Sequence, residues 1–361
     1  MILYIYLIVN NQQPVGWEGI PSSMFSWSCA EISRKCFTGI RLAERLPSKN
    51  ENISPVRSCV SRETGPWLEL SFRTKLEVMT EKPPIVLTIA GFDPSSGAGV
   101  TADIKTIAAH GCYGVGCITA MTVQSTAGVR RVEPINPDLV TETLEELVAD
   151  LEIAAVHIGM LGSGKGVKAV ADFLGRQGGK RRLANVVLDP ILKSSSGTDL
   201  FDPLGRKLLQ ERLIPLADVI TPNTDEAFAL TGIKVTGIDE MKAAAAKLHK
   251  MGSSAVVITG GHLDQAIELL SYSTKRGIET EAFKAGRQRS NSTHGTGCAF
   301  STSMACHLAL DRGLAEATLL AKTYVTSAIA NAYPIGKGTG PVHHLYRMYQ
   351  QRRAAGSGSE Q

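Results

Sequence analysis

Ile85-Val86-Leu87-Thr88-Ile89-Ala90 runs straight into Gly91-Phe92-Asp93-Pro94-Ser95-Ser96-Gly97-Ala98-Gly99, and a helical pattern follows from Gly99 to Ala109. A short β-branched run, a turn rich in Gly, Pro and Ser, and then a helix make one β-α unit. The run is continuously apolar rather than alternating, as expected of a strand covered on both faces by helices in a parallel sheet.

Working outward, the same unit recurs. Strands are predicted at Ile85–Ala90, Gly114–Thr119, Ala155–Ile158, Val186–Asp189, Val219–Thr221 and Ala255–Thr259. Between and after them, helices are predicted at Gly99–Ala109, Pro137–Asp150, Gly166–Gln177, Pro203–Leu213, Asp239–Met251 and Ala299–Leu310. Such alternation predicts an α/β fold of three layers, α/β/α, around a mostly parallel central sheet.

In sheets of this kind ligands collect beyond the carboxyl ends of the strands. Chemistry-bearing residues stand at all six ends: Gly91–Gly99, Ala120–Thr126, Gly159-Met160-Leu161-Gly162, Asp189-Pro190, Thr221–Glu226 and Thr259-Gly260-Gly261-His262. Beyond the last strand comes Asn291-Ser292-Thr293-His294-Gly295-Thr296-Gly297-Cys298, leading into the helix at 299–310. Two glycines one residue apart let the backbone turn and aim consecutive N–H groups at an anion. A helix N-terminus adds its dipole to that cradle and lowers the pKa of a thiol in its first turn, where Cys298 falls. Taken alone, Gly-x-Gly fits a plain connection before a core helix equally well.

Composition narrows the class. The chain has 361 residues, 43% of them apolar and 20% charged, with a net charge of +4, ordinary for a soluble globular protein. The charge is small and dispersed, which argues against nucleic acid and anionic membranes as partners. Seven cysteines, without metal-ligand spacing, point to reduced thiols and a cytoplasmic location. No apolar run reaches the roughly 18 residues of a membrane span. Residues 1–78 differ: they hold all three tryptophans, Trp17, Trp27 and Trp67, and lack a sustained period. They read as a disordered extension or a mis-assigned start before Met79, or else as an organelle-targeting peptide. The expected organisation is therefore 1–78 extension, 79–346 catalytic domain and 347–361 flexible tail.

Taken in order, Ala90–Gly99, Ile158-Gly159-Met160-Leu161, Thr221-Pro222-Asn223-Thr224-Asp225-Glu226, Gly260-Gly261-His262, His294–Cys298 and Gly336-Lys337-Gly338-Thr339-Gly340-Pro341-Val342-His343-His344 resemble the hydroxymethylpyrimidine/phosphomethylpyrimidine kinases of the ribokinase-like superfamily. The likeness spans about Ile85 to His344. It implies transfer of phosphate from ATP, with Mg²⁺, to 4-amino-5-hydroxymethyl-2-methylpyrimidine and then to its monophosphate, in thiamine diphosphate biosynthesis. Pyridoxal kinase of the same fold, or a pyrimidine-binding regulator without activity, are the competing readings. A homodimer is implied as well.

The resemblance also assigns residues. Gly91, Asp103, Gln124 and Met160 fall where the family contacts the pyrimidine, although Asp103 also suits a pairing role on its helix. Gly295, Thr296 and Gly297 would cradle the γ-phosphate. Asn223, Thr259, Gly260 and Gly261 fall on the nucleotide side, and Glu226 with Asp189 on the Mg²⁺ side. Lys337 would reach the phosphates from its glycine-rich loop, or remain a solvated loop lysine. Cys298 replaces the aspartate base of the superfamily's sugar kinases. It is expected to be a thiolate base, with a pocket-shaping role as the alternative. After Asp189-Pro190, Ser195 stands where family members often carry lysine, and Lys193 lies two residues earlier.

Overall fold

The computed structural model describes residues 82–177, 183–193, 197, 203–261, 266–286, 288 and 290–350. The expectations for residues 1–78, Ser195 and His262 lie outside that set. In chain order the elements are β1 (Ile85–Phe92), α1 (Gly99–Ala109), β2 (Tyr113–Ser125), β3 (Gly128–Pro134), α2 (Pro137–Asp150), β4 (Ile153–Ile158), α3 (Gly164–Arg176), β5 (Val186–Leu188) and α4 (Pro203–Leu208). A π turn (Leu209–Leu213) and a 3₁₀ turn (Ile214–Leu216) extend α4. Then come β6 (Val219–Ile220), α5 (Thr224–Thr231), α6 (Ile238–Lys250), β7 (Ala255–Thr259), β8 (Ala266–Thr274), β9 (Gly277–Ala285), α7 (Thr296–Ala309) and α8 (Leu314–Ala330).

One sheet runs β3-β2-β1-β4-β5-β6-β7-β8-β9. The pairings from β2 through β7 are parallel, while β3, β8 and β9 join antiparallel at the two margins. The mostly parallel α/β/α expectation is met, and the strands alternate their side chains between two cores. Val86, Ala155, Val187, Val219 and Val257 pack against α1, α7 and α8. Leu87, Val156, Ile158, Leu188 and Ile258 pack against α2 to α6.

Several bounds differ from expectation. β2 runs on past Thr119 to Ser125, into the β2–β3 hairpin, so 120–125, expected as loop, are strand. The expected Pro203–Leu213 helix changes pitch at Leu209. The expected tail from 347 begins as ordered structure: 346–350 are helical, and the Arg347 guanidinium lies 5.4 Å from the Tyr324 ring centroid. Stacking a cation on a buried aromatic explains why the chain stays put there.

Local caps set where the functional residues fall. Asn223 caps α5 through a capping box: its side chain accepts from Asp225 N and Glu226 N, and Glu226 reaches back to Asn223 N at 2.9 Å. The helix ends at Gly232, in the left-handed region. β1 lies between β2 and β4, so the chain leaves it in one direction and returns on the other side. That switch point opens a crevice beyond the carboxyl ends of β1 and β4.

Candidate active site

The crevice is a cleft of about 1690 Å³. Gly91, Gln124 and Met160 line it at the β1, β2 and β4 ends. Asp189, Asn223, Glu226, Thr259 and Gly261 line it at the β5, β6 and β7 ends, and Gly295 to Cys298 close it at the start of α7. The structure thus brings together most of the residues singled out from the sequence.

At the β1–β4 end, a side-chain carbon on Gly91 would collide with the Met160 terminal methyl. The Met160 methyl therefore fills the space that a side chain at 91 would need, and both residues line the cleft. Asp93 folds the 91–99 loop by accepting from Ser95 N (2.8 Å), Ser95 Oγ (2.7 Å) and Ala98 N (3.0 Å). It also pairs with His294 Nε2 at 2.8 Å. Burial pushes its carboxyl up, but the His294 and Ser95 bonds prevail and hold it below the usual range.

Gln124 joins this cluster. Its Oε1 lies 3.1 Å from Thr122 Oγ1, and its Nε2 lies 3.2 Å from His294 Nε2. His294 Nε2 must carry a proton to meet the Asp93 carboxylate, while the Thr122 hydroxyl has Phe92 O as acceptor at 2.9 Å. The protons balance with the amide turned over, nitrogen donating to Thr122 Oγ1 and oxygen facing His294 N–H. One amide N–H then remains for the cleft.

At the α7 end, Gly295 caps the helix at φ +80°, where a side chain would drive into the Gly97 carbonyl. Only glycine permits this approach of the two loops, which sets residues 295–297 against the cleft, with Thr296 N donating to Thr293 O at 3.3 Å. Asp189 Oδ2 lies 3.6 Å from where a Gly297 Cβ would be, at the same helix start. Burial pushes the Asp189 carboxyl up to about 6, against the pull of His157 and Ser301. Burial, and then the charge of Asp189, push Glu226 well above its usual range. Two enclosed carboxylates that disfavour each other's charge form a site suited to a hydrated cation. Among the described residues no cluster of three or more His, Cys, Asp or Glu side chains offers full coordination.

Three expectations change. Asp103 does not reach the cleft: it is fully buried, with Oδ2 accepting from Thr88 Oγ1 at 2.7 Å and Oδ1 from Thr302 Oγ1 at 2.9 Å. It sits on the inner face of α1, against the sheet. Cys298 is not set up as a thiolate. Burial, then the nearby Asp189 and Asp103 carboxylates, push its thiol well above the usual range, and a hydrogen bond from Gly99 N–H only partly opposes them. Here desolvation and like charge outweigh the helix dipole. Lys337 is exposed, and it is Thr339 of the same loop that lines the cleft.

Sequence reasoning missed the Asp93–His294 pair and the buried partners Thr88, His157, Ser301 and Thr302. The Asp-x-Ser turn at 93–95 and the polar Thr88 and His157 inside otherwise apolar strands were the available signals.

The profile of the phosphomethylpyrimidine kinase family matches residues 93–343. A hydroxymethylpyrimidine/phosphomethylpyrimidine kinase of Rhizobium meliloti is 40% identical over 271 residues, covering 74% of this chain and 98% of that protein. A thiamine biosynthesis bifunctional protein of Geobacter sulfurreducens is 39% identical over 262 residues, 72% of this chain; the match spans about half of that longer protein (52%). Among solved structures, an ADP complex of Bacillus subtilis pyridoxal kinase is 32% identical with a TM-score of 0.66, covering 74% of this chain and 99% of that one. The chain belongs to the phosphomethylpyrimidine kinase family.

Proposed function

We propose that the protein is an ATP-dependent kinase acting on 4-amino-5-hydroxymethyl-2-methylpyrimidine and then on its monophosphate, yielding the diphosphate used to build thiamine diphosphate. One observation carries this reading: Gly91, Met160 and Gln124, which would take the ring, and Gly295, Thr296 and Gly297, which would take the phosphate, line one cleft. The Gln124 amide suits the polar edge of a heterocycle.

In this reading Thr259, Gly261 and Asn223, which line the cleft, would flank the nucleotide together with Gly260. Glu226 and Asp189 are the residues that would hold Mg²⁺, largely through water, since this ion gives up its waters reluctantly. When bound, the ion neutralises charge on the phosphates. The chain's own part is to align the hydroxyl with the γ-phosphate and to present N–H dipoles where charge spreads. With Cys298 protonated, the thiol packs against the reacting end, and transfer proceeds with little base assistance, as loose phosphoryl-transfer transition states permit. Lys337 adds its charge when its loop closes over the phosphates. The enzyme acts in the cytoplasm as a homodimer; no helix among the described residues is long and apolar enough to cross a membrane.

ADP release, measured with the pyrimidine alcohol, its monophosphate and pyridoxal at matched ATP and Mg²⁺, tests the assignment. Turnover on both pyrimidines should exceed that on pyridoxal. Faster turnover on pyridoxal would move the enzyme to the vitamin B6 side of the fold, and no turnover on any of the three would leave only a binding role.

A further inference from the structure

Thr88 on β1 and His157 on β4 stand directly opposite each other in register. Both point into the layer formed by α1 and α7, and both are fully buried. Polar side chains enclosed at such a place need partners for every proton and lone pair. Here the partners form a line. Thr88 Oγ1 donates to Asp103 Oδ2 at 2.7 Å, and His157 Nδ1 lies 3.3 Å from the same oxygen. On the opposite edge of the ring, His157 Nε2 lies 2.9 Å from Ser301 Oγ. Ser301 in turn lies 3.2 Å from Asp189 Oδ2, with Gly297 O and Cys298 O each at 3.1 Å.

The donors and acceptors can be ordered. A carboxylate facing Nδ1 requires a proton on that nitrogen. Nε2 faces Ser301 Oγ, whose single proton has three other oxygens within reach, so a proton on Nε2 fits the set. In that arrangement His157 donates to Asp103 on one side and to Ser301 on the other. Burial would strip that proton, and the charge and hydrogen bond of Asp103, with Asp189 beyond, outweigh it.

We propose that His157 is a positioning residue for phosphoryl transfer: anchored by Asp103, it acts through Ser301 to hold the Asp189 carboxylate at the first turn of α7. The proposal rests on the kinase reading above, in which Asp189 serves the Mg²⁺ site beside Gly297. It gives Asp103 a role that its enclosure allows, as the fixed end of the line rather than a contact to the pyrimidine. Ser301 is the joint, since it is the residue that touches both His157 and Asp189.

Steady-state kinetics of Ser301→Ala, Asp189→Asn and the double variant, with melting temperatures alongside, test it. Ser301→Ala cuts the joint while leaving His157 on Asp103. Its kcat should fall roughly tenfold, with the KM of both substrates within about twofold and the melting temperature nearly unchanged. The double variant should be no slower than Asp189→Asn alone, because the two changes break one line. A Ser301→Ala enzyme at wild-type kcat, or losses that multiply in the double variant, would overturn the proposal. So would an Asp189→Asn enzyme of undiminished kcat. Should Ser301→Ala fail to fold, the pair His157→Gln and His157→Leu decides: the amide keeps a donor toward Ser301, so Gln must turn over faster than Leu, and equal rates refute the role. A wild-type protein inactive on both pyrimidines would instead remove the kinase reading, and this proposal falls with it.

Discussion

Replacing Cys298 by serine separates two mechanisms that the sequence alone leaves together. A thiol with the ordinary pKa of 9.0 is ionised to roughly 3% near pH 7.5, and each further unit removes about nine-tenths of the remainder. Cys298 lies well above that starting point, driven there by burial and by Asp189, Asp103 and Glu226. Too little thiolate is then present to serve as a working base. Cys298→Ser should keep kcat within about threefold of wild type, with the main change in the KM of the pyrimidine. Cys298→Asp should be poor, losing on the order of a hundredfold, because it adds a carboxylate beside Asp189 and Glu226 in the cleft, with Asp103 behind them. ADP release across about pH 6 to 9 for all three enzymes is the assay. The wild-type and Ser profiles should overlay in shape. Loss of kcat by about 10²–10⁴-fold in the Ser variant at unchanged KM, with partial recovery in the Asp variant, is the signature of a general base and would refute the reasoning.

Three further outcomes are expected. Gln124→Leu removes the amide that would face the ring, so pyrimidine KM should rise roughly tenfold or more while ATP KM holds, from a contact worth about 1–3 kcal/mol; an unchanged pyrimidine KM places Gln124 outside the binding contacts. Burial, then Lys105, lowers the His344 imidazole from 6.5 to about 4, so the unfolded chain binds the proton first and stability is lost as pH falls from about 6.5 toward 4. Urea unfolding at about pH 7 and about pH 4.5 should show His344→Gln losing about 2–3 kcal/mol less than wild type over that interval; parallel losses in the two proteins argue against a neutral buried His344. Finally, a chain beginning at Met79 is expected to fold and turn over at the full-length rate, and insoluble or inactive protein would show that the preceding residues are required.

The centre of the sheet was legible because β1, β4, β5 and β7 are largely buried on both faces, so their sequences are apolar apart from Thr88, His157 and Thr259. The margins were not. β3 presents exposed Arg130, Arg131 and Glu133, and β9 presents Glu279, Glu281 and Lys284, so neither shows an apolar period. Helix α5 was hidden for another reason: Asn223 and Glu226 form its capping box, yet the same residues line the cleft and drew attention as ligands. Gly91, Gln124, Met160, Asp189 and the Gly295–Gly297 cradle were found because strand ends converge in any such sheet. Asp103 failed because a position on α1 does not reveal which way that helix faces. For Cys298 the local rule, a helix N-terminus lowering a thiol, was readable. The overriding effects come from burial and from Asp189, Asp103 and Glu226, which are distant in sequence and meet Cys298 only once the chain is folded.

Helix α7 has twelve consecutive buried residues, Cys298 to Ala309, and so offers no free side on which to slide or roll. The floor of the cleft is thereby fixed, and traffic must be managed at the rim. There the tip of the β2–β3 hairpin meets the 335–340 loop at a light latch, Gly338 N donating to Thr126 Oγ1 at 3.3 Å. Gly336 and Gly338 lie so close to Thr126 that any side chain on either would prise the latch apart. The same loop carries Lys337 and the cleft-lining Thr339, so loosening the latch is expected to change both the passage of substrate and the surroundings of the phosphates.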